Sequence, residues 1–321
     1  MKDQTVRSLS LQGLPDKRRQ KVLVPDWPDP EGPSGNEVKT RTIYTGVTNG
    51  TERNQLIGGN YAPDDADLPT GGNGYQNVGK VIEVGPDVCE LKIGDVLFMS
   101  AVHAEYAVMP EDGLLLRLPD SMDLTEAALL GICSVAMRTC RNAELCVGER
   151  ALIVGAGILG QVAVQVAAGM GARATICDID GGRLAIAKEI GAAETVLDVS
   201  GEKWNQKVGE AAFDVVIDFA GVPGMEDQLI SALRPQGRML FIAGRDKVTY
   251  TFNLGQGREV RIRQNSHFDR DDLHNTCRLI ARGLIKIGPL IRDVVPVSEA
   301  KKIYDTLRDA PDQLMGTVFA W

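Results

Sequence analysis

An apolar strand that runs straight into Gly-x-Gly-x-x-Gly constrains this chain more than any other feature. Ala151-Leu152-Ile153-Val154 leads into Gly155-Ala156-Gly157-Ile158-Leu159-Gly160, and an amphipathic segment from Gln161 to Gly169 follows. Eighteen residues beyond Gly160 a second apolar run, Ala174-Thr175-Ile176-Cys177, ends at Asp178. Strand, glycine turn, helix, strand and terminal acid in this order make a βαβ dinucleotide fingerprint. Gly155 allows the tight turn, and Gly157 lets backbone N–H groups approach a pyrophosphate at the helix N-terminus that Ile158 and Leu159 open. Gly160 lets helix and strand pack closely. Asp178 is placed to accept hydrogen bonds from an adenosine ribose and to repel a 2′-phosphate. The expected cofactor is therefore NAD(H) rather than NADP(H), although Arg183 lies five residues on. Ala220-Gly221 and Ala243-Gly244 end later apolar runs, where ligands gather in parallel sheets, and are read as lining the cofactor path.

At 321 residues the chain can hold two domains of ordinary size. A net charge of −8 argues against nucleic acid and anionic membrane surfaces as partners. No apolar run reaches the roughly 18–20 residues that span a bilayer. The opening MKDQTVRSLSLQG has no apolar core of the signal-peptide kind. The expectation is a cytoplasmic protein acting on a small molecule. Six cysteines, at 89, 133, 140, 146, 177 and 277, include no C-x-x-C pair and match no zinc framework. They read as reduced thiols acting as small hydrophobes.

Before the fingerprint, residues 21–118 read as short β-branched strands broken by Gly and Pro: Val38 to Val47, Gly79 to Val84, Asp95 to Met99 and Glu105 to Met109. Together they suggest a compact, partly open β-barrel. Asp123 to Ala143 turns helical, with Thr125 near its start. From Glu149 strands and helices alternate, with strands at Ala151–Val154, Ala174–Cys177, Thr195–Leu197, Val215–Phe219 and Met239–Ala243. That rhythm predicts an α/β fold, a doubly wound parallel sheet. Val260–Arg263 adds a candidate edge strand, on which Arg261 and Arg263 alternate after Arg258. The tail carries a helix, Ser298 to Arg308, and a last strand, Gly316–Ala320, expected to return to the first domain.

These anchors, in this order, resemble the medium-chain dehydrogenase/reductase family, the zinc alcohol dehydrogenases and their zinc-free relatives. The likeness runs through Glu37-Val38, Gly46–Glu52, Gly79 to Gly94-Asp95, Glu105-Tyr106-Ala107-Val108, the glycine fingerprint, Phe213 to Asp218 and Leu233 to Arg238. It implies a GroES-like β-barrel catalytic domain split in sequence (1–135 and 286–321), a Rossmann NAD-binding domain (136–285), cofactor in the cleft between them, and a homodimer. Zinc-binding members read Gly-Ile-Cys-x-Ser/Thr-Asp where this chain reads Gly46-Val47-Thr48-Asn49-Gly50-Thr51, and Gly-His-Glu where it reads Gly74-Tyr75-Gln76. The third ligand position falls at Ile132, beside Cys133, and the four-cysteine lobe for structural zinc is absent. A catalytic zinc needs about three protein ligands, so no metal is expected. Gly50-Thr51-Glu52-Arg53 and the terminal Trp321 are locally similar to the zinc-lacking bacteriochlorophyllide hydroxyethyl dehydrogenases, which does not license a pigment substrate.

The resemblance implies an NAD-dependent oxidoreductase that interconverts a secondary alcohol and a ketone on a polar metabolite or biosynthetic intermediate. Without a metal, protein donors must stabilise the reacting oxygen. Tyr75 is the candidate acid in ketone reduction, Thr48 and Asn49 are placed to hydrogen-bond the same oxygen, and Glu52 and Arg53 either relay the proton or pair with each other. His103 is either a cleft residue or an exposed loop residue, and His267 follows the candidate edge strand that lies near the nicotinamide in this family. Two other readings stay open: an enoyl or quinone reductase, which needs no metal to polarise its substrate, and a non-catalytic NAD(H)-sensing module.

Overall fold

The computed structural model describes residues 6–201 and 203–321. Residues 1–5, part of the opening segment read above for a leader, lie outside the described residues, as does residue 202. The chain divides into two compact units, Met1–Gly131 with Ile291–Trp321, and Ile132–Leu290.

The first unit opens with an antiparallel hairpin, β1 (Ser8–Gly13) and β2 (Arg19–Val24). Next come β3 (Glu37–Gly46), α1 (Asn49–Leu56), β4 (Asn77–Val84), β5 (Val96–Met99), β6 (Tyr106–Pro110), β7 (Leu115–Arg117) and α2 (Leu124–Ala127), after which α3 (Leu130–Asn142) crosses the unit boundary. The second unit alternates strand and helix: β8 (Arg150–Val154), α4 (Ile158–Gly169), β9 (Arg173–Asp178), α5 (Gly181–Ile190), β10 (Thr195–Asp198), α6 (Trp204–Val208), β11 (Phe213–Asp218), α7 (Glu226–Ala232), β12 (Leu233–Phe241), α8 (Phe252–Gly257), β13 (Arg261–Arg263) and α9 (Arg270–Ala281). The chain then returns to the first unit with β14 (Asp293–Pro296), α10 (Ala300–Asp309) and β15 (Thr317–Ala320).

In the first unit β3 is the organising strand. One edge pairs with β4, and the other is shared by β6, against Glu37–Arg41, and β15, against Tyr44–Gly46. The resulting seven-stranded sheet runs β14-β15-β3-β4-β5-β7, with β6 on β3. Register shifts near Lys39 and Thr42 bend it, as bulges do. One core joins Leu9, Leu11, Leu56, Tyr304, Leu307 and Phe319, drawn from both ends of the chain.

In the second unit six parallel strands lie in the order β10-β9-β8-β11-β12-β13. The chain leaves β8 in one direction and resumes on its other side with β11, so β8 and β11 form the topological switch point. Both central strands are covered on two faces, and accordingly Leu152, Ile153, Val215, Val216 and Ile217 are fully buried in continuous apolar runs rather than alternating ones. This is the α/β, doubly wound Rossmann sheet expected from the sequence, accompanied by a second, β-rich unit.

Two local expectations shift, and one strand comes without any. The helix over Asp123 to Ala143 divides into α2 and α3, and Asp123, not Thr125, caps the first piece by accepting from the N–H groups of Thr125 (2.8 Å) and Glu126 (3.2 Å). β12 begins at Leu233, six residues early, because the Pro235-Gln236-Gly237 kink is absorbed by a register shift opposite β11. The hairpin strand β1 escapes an alternation test because Ser8 and Ser10 are as buried as Leu9 and Leu11; their hydroxyls donate to the carbonyls of His103 and Thr70. Among the described residues no helix is long and apolar enough to cross a membrane.

Gly46 ends β3 where the chain turns toward α1, and a Cβ there would stand 2.1 Å from the Ala128 carbonyl oxygen. Two backbones meet with no flexible side chain to give way. Gly46→Ala is expected to destabilise the fold by about 1–3 kcal/mol, the usual cost of overpacking. Urea denaturation of the two proteins checks this; an unchanged midpoint would show that the turn can relax.

Candidate functional site

The second unit carries the dinucleotide fingerprint. Gly155 has φ +97°, and a Cβ on Gly160 would lie 1.8 Å from the Gly155 carbonyl oxygen, so the turn closes only on glycine at both places. Gly157 is different: open space surrounds the position a Cβ would take. It caps the twelve-residue α4 with no side-chain hydrogen bond, leaving the first-turn N–H groups at Ile158, Leu159 and Gly160 without an intrahelical acceptor. Open approach, uncapped amides and a helix N-terminus fit a pyrophosphate.

Asp178 is half-buried at the end of β9. One carboxylate oxygen accepts from Ala156 N (2.6 Å), the other from Ile179 N (2.7 Å) and Asp180 N (2.9 Å). A carboxylate offers about four lone-pair sites, so one remains for a ribose hydroxyl while the backbone fixes the group's direction. Arg183 is held in the first turn of α5. Asp180 accepts its backbone N–H at 3.0 Å, and the guanidinium Nε lies 3.9 Å from the same carboxylate.

Ala220, Gly221 and Ala243 also come to carboxyl ends of strands, and there the structure adds residues the sequence reading passed over. Buried Asp218 ends β11 and accepts from Ala220 N and Gly221 N, both at 3.0 Å. Its second oxygen pairs with Arg245, which also donates to the Ala243 carbonyl (3.2 Å) and lies 3.5 Å from Glu226. Arg245 thus ties the loop after β11 to the Ala243-Gly244 loop after β12. The signal available in sequence was an acid ending an otherwise apolar strand.

In the first unit the candidate proton donors lie on two turns. Thr48 is buried and occupies the N-cap of α1, but its side chain makes no capping bond. Its Oγ1 instead accepts from Gln76 Nε2 at 3.2 Å, and the same amide nitrogen donates to the Gly46 carbonyl at 3.3 Å. Accepting that bond leaves the Thr48 hydroxyl proton available for donation. Tyr75 is half-buried beside Gln76, in the turn that leads into β4. Asn49 is fixed by donating to the Leu314 carbonyl at 3.0 Å, while its buried Oδ1 has no partner; the buried Nε of Arg53 also has none.

Glu52 does not pair with Arg53. It is buried, and its partners come from across the unit: Lys21 Nζ (2.7 Å) and Tyr304 Oη (2.5 Å) donate to Oε2, while Thr48 N donates to Oε1 at 2.7 Å. His103 Nε2 lies 3.3 Å from the same Oε1. His103 is therefore no exposed loop residue: it is buried, edge-on to Tyr304 and Phe319, and its Nδ1 has no partner. Burial would raise the Glu52 pKa, but the charge of Lys21, then His103, more than reverses this and holds the carboxyl well below the usual range. Burial lowers the Lys21 pKa against the pull of Glu52, and burial followed by the Glu52 charge drives Tyr304 far above the ordinary phenol value. Lys21 and Tyr304 stand 31 and 252 residues from Glu52 and carry no local signal; the strand period alone puts Arg19 and Lys21 on the buried face of β2.

His267, in the second unit, is exposed at φ +51° with its ring edge-on to Phe268. Partial desolvation and then the Arg138 charge lower its pKa.

The positions that carry zinc ligands in the resembled family hold Thr48, Tyr75 and Gln76, a donor set of hydroxyls and an amide, and the Gln76–Thr48 hydrogen bond uses the two groups on each other. Such groups do not fit a zinc ion, which takes thiolate, imidazole and carboxylate. Among the described residues no group of three or more His, Cys, Asp or Glu is arranged to hold a metal ion.

Residues 159–282 match the model of a family described as zinc-binding dehydrogenase. The match lies wholly in the second unit and includes none of positions 48, 75, 76 and 132. The sorbitol dehydrogenase of Gallus gallus is 28% identical over 277 residues, 73% of this chain and 76% of that protein. The probable D-xylulose reductase A of Arthroderma otae is 25% identical over 330 residues, 90% of this chain and 92% of its own. A short chain alcohol dehydrogenase from Escherichia coli CFT073, solved with cofactor NADH, superposes with a TM-score of 0.83 at 18% identity and covers 99% of this chain and 100% of its own. The chain thus has the fold of that solved dehydrogenase over nearly its full length, and its match to the zinc-binding dehydrogenase model falls in the second unit.

Proposed function

We propose that this chain is a zinc-independent, NAD(H)-dependent oxidoreductase that interconverts a secondary alcohol and a ketone. The observation that carries the reading is the substitution of an interacting hydroxyl and amide, Thr48 and Gln76, where metal ligands would stand. The named polyol relatives support the alcohol–ketone chemistry, and the Gly155–Gly160 loop with Asp178 supports the cofactor.

Alcohol oxidation removes a hydride from carbon and a proton from oxygen. Bound NAD(H) supplies the hydride acceptor or donor. The first-turn amides of α4 would hold its pyrophosphate and Asp178 would take a ribose hydroxyl, while the Asp218–Arg245 pair fixes the loops at 220–221 and 243–244. Thr48 and Tyr75 do the work a metal would otherwise do at the substrate oxygen. Tyr75 serves as acid in ketone reduction and Thr48 as hydrogen-bond donor to the same oxygen.

The first test is NADH formation when chelator-treated protein meets NAD⁺ and a pool of secondary alcohols, polyols and cyclitols. Turnover is expected; NADH binding without turnover of any pool member would remove the assignment. Tyr75→Phe and Thr48→Ala are each expected to lower turnover by about 10²-fold or more, with NADH affinity retained. Wild-type turnover in both variants would displace the site from these turns. Asp178→Ala is expected to weaken NADH binding by about tenfold or more, the value of a charged hydrogen bond of about 1.5–3 kcal/mol, and to narrow the preference over NADPH. An unchanged NADH/NADPH ratio would take Asp178 away from the ribose.

A further inference from the structure

Buried charge is expensive unless something specific is gained from it. Replacing a buried ion pair by apolar residues is often neutral or stabilising, so stability alone does not explain Lys21 and Glu52. Their surroundings are otherwise apolar: Leu9, Leu11, Val47, Leu56, Leu307 and Phe319 form the core they interrupt, together with Tyr304. Lys21 Nζ stands 4.7 Å from the centre of the Tyr304 ring, so this side chain contacts both lysine and glutamate.

What Glu52 reaches is more informative than what neutralises it. Its Oε1 accepts the backbone N–H of Thr48, and the same oxygen faces His103 Nε2. The His103 ring in turn fills the space beside Gly74: a Cβ there would lie 2.3 Å from its Cδ2 and 2.4 Å from its Nε2, and Gly74 has φ +89°. One carboxylate therefore grips the turn that carries Thr48 directly, and through His103 braces the turn that carries Tyr75 and Gln76. Lys21 and Tyr304 hold the other oxygen, which fixes the carboxylate plane.

We propose that Glu52 is a positioning residue: it sets the relative placement of the Thr48 and Gly74–Gln76 turns by hydrogen bonding, and carries no proton in the reaction. This rests on the function proposed above. Lys21 supplies the compensating charge, Tyr304 the orientation, and His103 the link to the second turn.

Two doubly substituted proteins test it, each with both buried charges removed. Lys21→Met/Glu52→Gln keeps a side-chain oxygen that can accept from Thr48 N–H, and Lys21→Met/Glu52→Leu does not. Positioning predicts that the Gln protein retains most of its kcat. The Leu protein should lose about 10²-fold in kcat, the scale of an ångström-sized misplacement, with KM and NADH affinity changed far less. Amide hydrogen exchange should rise over residues 46–52 and 72–76 in the Leu protein only. Equal loss of kcat in both proteins, or loss of one limb of the pH–rate profile in the Gln protein, would overturn the proposal in favour of proton relay. Equal exchange and equal kinetics would reduce the cluster to ordinary core packing, also against it. The exchange measurement needs no turnover, so it decides the positioning role even where no alcohol is oxidised.

Discussion

The first unit depends on a carboxylate that has no route to water. Glu52 keeps its charge because Lys21, Tyr304, Thr48 and His103 surround it with opposite charge and hydrogen-bonding groups. Remove any of these and the remaining groups are left polar and buried, each at a desolvation cost of about 1–3 kcal/mol or more. β2, the loop at His103, α1 and α10 are thereby fastened to one point. The turns bearing Thr48 and Tyr75 inherit their placement from it rather than from local sequence. The second unit shows the same logic in milder form, where Arg245 between Asp218 and Glu226 joins two strand-end loops.

What could be read in the sequence was what the backbone dictates locally. Gly155 and Gly160 are required by a positive φ and by a contact that admits no Cβ, and such demands write themselves as glycine at fixed spacing. The parallel sheet was readable because strands covered on both faces become uninterrupted apolar runs, as at Leu152-Ile153 and Val215-Val216-Ile217. Glu52, Thr48 and His103 were singled out, but Lys21 and Tyr304 were not. Lys21 follows Arg18, Arg19 and Gln20 and looks like part of a solvated strand, and Tyr304 looks like one apolar position of an amphipathic helix. Contacts that span 31 and 252 residues leave no periodic trace. β1 was hidden for the opposite reason, since its small serines satisfy their hydroxyls on backbone carbonyls and bury like leucines.

The family match and the positions sought for metal ligands lie in different units of the chain. The family match at 159–282 sits on the second unit, which also carries the glycine turn and Asp178. The positions at which zinc ligands are sought lie outside it, and Thr48 and Gln76 satisfy each other there. A signature in one unit thus says little about the chemistry of the other, where the side chains at these positions bond one another.

The return of the chain to its first unit bears on the order in which the molecule can be built. β15 completes one edge of β3, and α10 brings Tyr304 to a glutamate made 252 residues earlier. During synthesis residues 132–290 have all their strands before α10 and β15 exist, so the second unit can consolidate first. Until the tail emerges, Glu52 and Lys21 lack the phenol between them and much of the apolar wall around them. The nascent first unit must keep that pair accessible to water, and the last twenty or so residues act as a closing clasp: the site dries only once α10 and β15 are in place.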